Sequence, residues 1–238
     1  MYCQSCLTSM KEIREGVYAC KDIECGHKTR EYEGNASYFH ANTYRNIKDS
    51  QRTSGEYEKD GRVTEKFHEA RKEICQKRIK LVQHDIHEED ICLDIGAGAG
   101  TFARELKPLV KRVDCLELDK NLVKSCVDLG FTSYQKDFFS FTPERKYSVL
   151  FLWHVLEHVK LPHLFLMKMK SMDVRHIFLE VPTERKFPKH FDGHLHMFNK
   201  NSLIKILVRA GFKIIEIKKG VQMPSIYARL TNECNYQI

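Results

Sequence analysis

A short apolar run, Ile91 to Ile95, leads directly into the glycine-rich segment 96–100, and this junction constrains the fold more than any other feature. The apolar run predicts a buried strand, and the residues after the glycines predict a helix that continues to Leu109. Glycines at a strand-to-helix turn let the backbone approach a ligand, and the helix N-terminus offers unpaired N–H groups to it. The junction therefore predicts an α/β fold with a ligand site at the end of this strand.

Strands and helices alternate along the rest of the chain. A helix is predicted over 64–83, and the apolar pattern predicts further strands at 113–118, near Tyr134, and at 147–152, 176–181, 214–217 and 225–230. Further helices are predicted at 121–129, 162–170 and 202–210. Alternating elements with short connections favour a mostly parallel, seven-stranded sheet with helices on both faces. We expect a cysteine-rich module over 1–33, a connecting segment over 34–63 and the α/β domain over 64–238.

Acidic residues stand at the ends of the first three strands of this predicted sheet. Asp94 precedes the first glycine by two residues, and Glu117 follows Gly96 by 21 residues. A carboxylate at the end of the second strand, where Glu117 stands, can accept hydrogen bonds from two adjacent ribose hydroxyls. Asp137 and Phe138 follow the third strand, where they pair a polar contact for an adenine amine with an apolar contact for its ring. Asp137 alone is typical of a solvated loop, but the three features in order predict a nucleotide-binding edge.

Longer motifs identify a family. The run 93–100, followed by Glu117, Asp137 and the segment 147–159, resembles the class I S-adenosylmethionine-dependent methyltransferases, in particular their small-molecule O- and C-methyltransferase branch. That branch carries an LEH signature after the fourth strand, an H-x-H-x-F segment and a late helix that ends in AGF. The chain has LEH at 156–158, HLHMF at 194–198 and AGF at 210–212. The resemblance, over about residues 65–238, implies a Rossmann-like fold and S-adenosylmethionine as the methyl donor.

The resemblance also implies which residues contact this cofactor. By it, the methionine part is lined by Gly96, Gly98 and Gly100, and its ammonium is placed by Asp94. The ribose is held by Glu117, next to Leu118, and the adenine is contacted by Asp137 and Phe138. The sulfonium side is walled by Leu152 and Trp153.

Histidines are the candidates for acid–base chemistry. A hydroxyl or carbon acceptor must lose a proton on methylation, and histidine titrates near neutral pH. The candidate bases are His154, His158, His194 and His196. If the turn after the fourth strand is helical, His154, Glu157 and His158 share one face. The ubiquinone-pathway O-methyltransferases resemble this segment and bind a divalent metal there, but they carry glutamate where this chain has His154. We therefore favour a bracing role for Glu157 and His158 over metal binding.

Four of the nine cysteines cluster near the N-terminus, as Cys3-x2-Cys6 and Cys20-x4-Cys25. Two such knuckles can bring four thiolates into the tetrahedral arrangement that zinc prefers, and His27 could replace one sulfur. Many bacterial methyltransferases that act on sugars begin with a similar pair of knuckles, followed by a tyrosine-bearing linker. The residues of this chain that resemble that linker are Tyr38, Phe39 and Tyr44. The sequence therefore predicts a structural zinc site in a zinc-ribbon-like module.

Charge and apolar patterning bear on partners and location. No apolar run approaches the ~20 residues of a membrane span, and no signal peptide opens the chain, so we expect a cytoplasmic protein without membrane contact. The scattered remaining cysteines fit a reducing compartment. Residues 1–90 carry 16 basic and 17 acidic side chains, whereas residues 91–238 carry 23 and 15. A nucleic-acid clamp in the N-terminal module would be basic, and this module is not.

Two functions from different classes remain open. The favoured one is methylation of a small polar acceptor, such as a nucleotide-linked sugar, at oxygen or carbon. The alternative is an RNA or DNA methyltransferase in which a zinc ribbon assists recognition, since the catalytic half is basic. Against it, the amine-methylation tetrad N-P-P-Y or D-P-P-Y is absent after the fourth strand, where Leu152-Trp153-His154-Val155 stands. A non-catalytic scaffold is disfavoured by the intact glycine turn.

Overall fold

The computed structural model describes residues 1–31, 55–58, 61–183, 193–222 and 224–231 of the 238-residue chain. Tyr38, Phe39 and Tyr44, together with most of the connecting segment predicted over 34–63, lie outside the described residues.

The elements of the described residues follow the predicted alternation. The strands are β1 (Met10–Arg14), β2 (Val17–Cys20), β3 (Lys28–Arg30), β4 (Ile91–Ile95), β5 (Arg112–Glu117), β6 (Thr132–Gln135), β7 (Val149–Trp153), β8 (His176–Pro182), β9 (His196–Met197), β10 (Lys213–Lys219) and β11 (Ser225–Thr231). The α-helices are α1 (Glu65–Val82), α2 (Thr101–Leu106), α3 (Lys120–Asp128), α4 (Pro162–Ser171) and α5 (Lys200–Arg209). Short 3-10 turns cover Lys107–Leu109, Phe138–Ser140 and Leu156–His158.

The principal sheet has seven strands in the order β10-β11-β8-β7-β4-β5-β6. β4 pairs in parallel with β5 and β7, and β5 pairs in parallel with β6. β11 is antiparallel to both β8 and β10. The predicted mostly parallel, seven-stranded Rossmann-like sheet is thereby confirmed. Its parallel strands end at one edge, and ligands of such sheets bind at that edge.

Local sequence signals explain where several helices begin. Asp119 caps α3, because its side chain accepts the backbone N–H groups of Asn121 and Leu122. Asn199 and Ser202 form a reciprocal capping box at the start of α5. The helix predicted up to Leu109 ends earlier, since α2 stops at Leu106 and a 3-10 turn containing Pro108 follows. Because proline lacks a backbone N–H, Pro108 cannot donate the hydrogen bond that would continue the α-helix.

The chain folds into two compact units. The central unit comprises residues 37–151 and includes α1 to β6 and the start of β7. The terminal unit joins the two ends of the chain, residues 1–36 and 152–238. No helix of the described residues combines the length and apolar character needed to cross a membrane.

A second sheet of the terminal unit joins the cysteine-rich module to the C-terminal half. Its order is β1-β2-β3-β9, with every neighbouring pair antiparallel. In the β3–β9 pair, Lys28 faces Met197 and Thr29 faces His196. The module predicted over 1–33 therefore shares its sheet with a strand from the distant HLHMF segment.

Candidate functional site

The glycine turn of the central unit has the backbone conformation that its sequence predicts. Gly96, Gly98 and Gly100 have positive φ angles of 70°, 57° and 79°, which glycine adopts without steric cost. The N–H of Gly96 donates to the carbonyl of Leu116 at 2.8 Å, so the turn is tied to the end of β5.

Two glycines of this turn have different surroundings. A Cβ built on Gly98 would meet no other atom of the described residues within 4 Å. A Cβ built on Gly100 would lie 3.1 Å from the Sγ of Cys126 and 3.4 Å from Leu129 Cδ1. Gly100 therefore serves the packing of α3 against the turn, whereas Gly98 borders open space that a ligand can occupy.

Glu117 connects the end of β5 to the glycine turn. Its Oε2 accepts the N–H of Gly98 at 2.9 Å, and its Oε1 accepts the N–H groups of Leu118 at 2.7 Å and Asp119 at 2.9 Å. Burial raises the pKa of Glu117, although these backbone donors oppose the rise. A carboxylate has about four acceptor positions, so the three bonds leave room for one further donor on Oε2.

Asp94, in β4, is a buried acid with an unused oxygen. Its side chain is 2% exposed, and its Oδ2 has no hydrogen-bond partner among the residues that the structure describes. Burial raises the pKa of the Asp94 carboxyl to about 7; Arg78 opposes this rise and Glu117 adds to it. A buried carboxylate oxygen without a partner costs free energy and is a natural acceptor for a ligand ammonium. Together with the open space at Gly98, this unused acceptor fits the methionine part of S-adenosylmethionine.

In the terminal unit, a charged histidine lies between two buried acids. His154 follows β7 with a positive φ of 57°, unusual for a residue with a side chain. Its Nδ1 lies 3.5 Å from Glu157 Oε1, and its Nε2 lies 3.4 Å from Glu180 Oε1. Burial alone would lower the pKa of His154, but the two carboxylates outweigh it and raise the pKa to about 9. His154 is therefore an imidazolium at neutral pH.

His158 lies on the other side of Glu157. Its Nδ1 donates to the carbonyl of Gly193 at 2.8 Å, so Nδ1 carries a proton, because a carbonyl oxygen can only accept. That Nε2 is 3.6 Å from Glu157 Oε1, and the ring centroid is 4.7 Å from that of His194. Burial acts to raise the pKa of the fully buried Glu157, but His154, His158 and His194 together lower it. The ionised carboxylate can stabilise a proton taken up by His158 Nε2.

His196 has very different surroundings from His194. Its side chain is 3% exposed, and its Nδ1 lies 3.2 Å from the Nε2 of His27 in the cysteine module. Burial lowers the pKa of His196 to about 4. Phe198 stacks on the His27 ring, with centroids 5.0 Å apart. These contacts favour a packing role for His196.

The four clustered cysteines meet at one point in the cysteine module. Their sulfur atoms all lie within 4.8 Å of one another, with Cys3 and Cys25 3.8 Å apart and Cys6 and Cys20 3.4 Å apart. Tetrahedral zinc with Zn–S bonds of about 2.3 Å places its sulfurs about 3.8 Å apart. Burial raises the pKa of Cys20 to about 12, so this thiol needs a bound cation to ionise at neutral pH. The donor set and its spacing fit zinc.

The comparison with protein families decides the class. A family model described as a methyltransferase domain matches residues 67–217, which is more than half of the chain and runs from α1 to β10. The chain is a methyltransferase of this family. Its predicted dependence on S-adenosylmethionine is confirmed at the level of enzyme class. No curated protein shows significant sequence similarity to the methyltransferase.

Solved structures share the fold of the methyltransferase at low identity. Magnesium protoporphyrin IX methyltransferase (ChlM) from Synechocystis PCC 6803 with bound SAM has a TM-score of 0.62 at 13% identity, over 85% of this chain and 100% of that chain. A SAM-dependent methyltransferase from Aquifex aeolicus has a TM-score of 0.57 at 14% identity, over 69% and 93%. N-methyltransferase NodS from Bradyrhizobium japonicum WM9 with S-adenosyl-L-homocysteine has a TM-score of 0.56 at 17% identity, over 68% and 87%. These likenesses show the fold.

The structure brings the predicted cofactor residues of the methyltransferase together only in part. Within the central unit, Asp94, Gly98 and Glu117 converge through hydrogen bonds and charge. The side chain of Asp137 accepts the N–H of Phe139 at 2.7 Å and caps a short turn in which Phe138 is buried. Leu118, half-buried, lies beside Glu117 and donates its N–H to that carboxylate.

Trp153, the predicted wall of the sulfonium side, belongs to the terminal unit and is buried. Its ring stacks on that of Tyr227 in β11 at a centroid distance of 6.5 Å. Its role toward the cofactor stays a prediction.

Sequence reasoning missed several residues of these sites. Phe67, at the start of α1, packs with Ala99 of the glycine turn and with Leu122 of α3. Arg78 of the same helix is buried and acts on the charge of Asp94. Glu180 offered a readable signal, because it is an acid in strand β8, whose other buried residues are apolar.

His154, Glu157 and His158 do not lie on one face of a helix, in contrast to the prediction. Only Leu156–His158 is helical, as a 3-10 turn, and His154 precedes it in a left-handed conformation. The residues whose ligand atoms lie within 4.8 Å of one another are instead Glu157, His158 and His194. These three could reach one ion, but Glu157 already has the His154 imidazolium as a counter-charge. For Glu157, this pairing agrees with the bracing role that the sequence favours.

Proposed function

We propose that the methyltransferase moves the methyl group of S-adenosylmethionine to an oxygen or carbon of a small polar acceptor, with nucleotide-linked sugars as the favoured class. The observation that carries this proposal is the pair formed by His158 and Glu157. An acceptor hydroxyl or acidic C–H must lose a proton, and this pair can accept one. RNA or DNA as the acceptor is the alternative, supported by the basic half of the chain.

The donor supplies an electrophilic methyl on a sulfonium when it is bound. The central unit would hold it by the groups described above. Asp94 Oδ2 would accept its ammonium, the open face of Gly98 would admit its methionine part, and Glu117 Oε2 would accept a ribose hydroxyl. Asp137 and Phe138 would contact the adenine. Each group is fixed by backbone hydrogen bonds or burial, so little ordering is needed on binding.

His158 would act as the general base. Its Nδ1–H is held by the Gly193 carbonyl, so Nε2 is the ring nitrogen that would take the proton of the acceptor. The Glu157 carboxylate, 3.6 Å away, would stabilise the imidazolium that forms. Of the other predicted catalytic residues, His154 is already protonated at neutral pH and His196 is buried against His27. We therefore assign His154 to charge balance and His196 to packing.

The cysteine module would hold one structural zinc ion through Cys3, Cys6, Cys20 and Cys25. All four positions of a tetrahedral site would be filled by sulfur, which leaves no open position for substrate. The proposed organisation is therefore a zinc-ribbon-like module over 1–33, a connecting segment over 34–63 and a catalytic domain over 64–238.

A panel of acceptors tests this function. Purified enzyme with labelled S-adenosylmethionine is offered nucleotide sugars and, separately, RNA and DNA, at 50 and 200 mM salt. We expect turnover on a nucleotide sugar whose apparent affinity changes only several-fold between the two salt concentrations. A nucleic-acid substrate neutralised at six phosphates would lose roughly a thousandfold in affinity over this range. Methylation of nucleic acid alone would establish the alternative.

The base assignment has its own control. His158→Gln should lower kcat on the acceptor by ~10²–10⁴ and leave S-adenosylhomocysteine affinity unchanged. Full activity of His158→Gln would remove His158 as the base.

A further inference from the structure

Residues 195–198 of the segment 193–198 contact the cysteine module. Lys28 and Thr29 of β3 pair with Met197 and His196 of β9. The hydroxyl of Thr29 donates to the carbonyl of Leu195 at 3.1 Å, and the N–H of Arg30 donates to the same carbonyl at 2.8 Å. The module thus fixes the backbone of this segment by its edge strand.

The opposite side of the same segment contacts the proposed base. The N–H of Leu195 donates to the carbonyl of Glu157 at 2.8 Å. The carbonyl of Gly193 accepts the Nδ1–H of His158, and His194 packs its ring against that of His158. Leu195, 4% exposed, therefore bridges the module to the turn that carries Glu157 and His158.

A buried pair of histidines links the thiol cluster to this segment. His27 Nδ1 lies 2.9 Å from the hydroxyl of Ser5 and 3.5 Å from the sulfur of Cys3. Its Nε2 reaches His196 Nδ1 at 3.2 Å. The ring of His27 is fully buried, so the arrangement of the thiols and that of β9 depend on the same side chain.

We propose that the cysteine module is the positioning element of the acceptor site. Through β3 and His27 it holds the segment 193–198 so that the Gly193 carbonyl fixes the Nδ1–H tautomer of His158 and His194 packs beside it. Thr29 is a positioning residue in this scheme, and loading of the thiol cluster sets the order of the segment. The significance for catalysis rests on the proposed role of His158, but the structural link does not.

A conservative pair of variants tests the link in the full-length protein. Thr29→Val keeps the shape of a buried β-strand residue and removes the donor to Leu195, whereas Thr29→Ser keeps the hydroxyl. Tyr18→Phe is the matched control, because it removes a bond to Glu31 that lies within the same module and does not involve β9. Amide exchange of 193–198 should accelerate about threefold to tenfold in Thr29→Val, the range for one hydrogen bond. It should stay at the parental rate in Thr29→Ser and Tyr18→Phe.

The ring of His158 gives a readout that a merely structural role would not move. In the parent, ¹⁵N shifts should show a single Nδ1–H tautomer, and in Thr29→Val a mixture of the two. The kcat/KM–pH profile of Thr29→Val should shift together with the tautomer of His158. Thr29→Ser should keep the parental profile. Removal of metal from the intact chain by a chelator should produce the same two changes, larger than in Thr29→Val.

Unchanged His158 ring shifts in both Thr29→Val and the metal-depleted protein would overturn the positioning proposal. Failure of the base assignment is recognised separately. If His158→Gln retains full activity while Thr29→Val still alters the His158 ring shifts, the module positions the segment and another group removes the proton.

Discussion

The carboxylate of Glu117 accepts the backbone N–H of Gly98 at 2.9 Å, so the end of β5 fixes the glycine turn at the end of β4. The same carboxylate accepts two further N–H groups from the residues that follow it. Glu117 is thus both part of the proposed ribose site and a support for the turn that would hold the methionine part. Loss of this side chain should affect both parts of the cofactor.

We expect a binding free energy of about −8 kcal/mol for S-adenosylhomocysteine. Glu117→Ala should weaken this binding by ~1.5–3 kcal/mol. Glu117→Gln should lose less, because its amide oxygen can still accept the Gly98 N–H. Calorimetry at one pH measures both. Parental affinity in Glu117→Ala would refute the ribose assignment.

Two alanine substitutions in the glycine turn should differ in their effects: one should mainly reduce ligand affinity, and the other should mainly lower Tm. Both glycines have positive φ, so alanine strains each backbone by roughly 1 kcal/mol. Gly98→Ala places its methyl in the space proposed for the ligand and should reduce S-adenosylhomocysteine affinity at least tenfold. Gly100→Ala places its methyl against Cys126 and should lower Tm more than Gly98→Ala does. Thermal melts with and without ligand distinguish the two variants. Equal ligand affinity for Gly98→Ala and the parent would contradict the proposal that the ligand occupies the space beside Gly98.

Asp94→Asn should stabilise the protein and weaken cofactor binding. The folded pKa of about 7 lies above the ordinary 3.8, so ionisation of Asp94 costs stability, fully so above pH 7 and progressively less as pH falls toward 4. Urea unfolding at pH 8 should show Asp94→Asn more stable by roughly 2–4 kcal/mol, and by less at pH 6.

The same residue should make cofactor affinity depend on pH. A protonated Asp94 cannot pair with the ligand ammonium, so parental affinity for S-adenosylhomocysteine should fall below pH 7 by up to about tenfold per pH unit. Asp94→Asn should bind weakly at every pH. A parental affinity that is constant from pH 8 to pH 5.5 would contradict the ammonium assignment.

His154 should make stability fall at alkaline pH. Its folded pKa of about 9 exceeds the ordinary 6.5, so its contribution is complete below pH 6.5 and is lost as pH rises through 9. We expect the free energy of unfolding to decrease by about 3 kcal/mol between pH 6.5 and 9.5. His154→Asn, which tolerates the left-handed backbone, should remove this decrease. The same slope in both proteins would show that His154 is not the charged member of the cluster.

The thiol cluster should contain one metal ion per chain by elemental analysis. Because so short a module has little apolar core, the double variant Cys3→Ser with Cys6→Ser should lose the ion and expose residues 1–33 to proteolysis. The S-adenosylhomocysteine affinity of the central unit should persist. A metal-free parent with a protease-resistant N-terminus would exclude the zinc site.

Much of the central unit could be predicted from sequence, because its signals are local. Strand β4 has the predicted limits, and α1 differs from its prediction by one residue at each end. Apolar periodicity and the glycine turn depend on neighbours within a few positions, so Asp94 and Glu117 could be placed at strand ends without a structure.

The histidines could not be assigned in this way. His194 and His196 are two positions apart, yet one packs against His158 and the other against His27. That difference arises from a strand pairing across 169 residues, which no local pattern encodes. The charge of His154 is a second such case, because it depends on Glu180, which lies in a strand later in the chain.

The pairing of β3 with β9 also has a consequence for synthesis. Residues 28–29 leave the ribosome long before their partners 196–197, by roughly 10–30 s at ordinary elongation rates. Throughout this interval the nascent module presents an open strand edge, which other chains can pair with. Lys28 and Arg30 on that edge carry charges that oppose such pairing, and zinc captured early would hold the module in register until its own partner strand emerges.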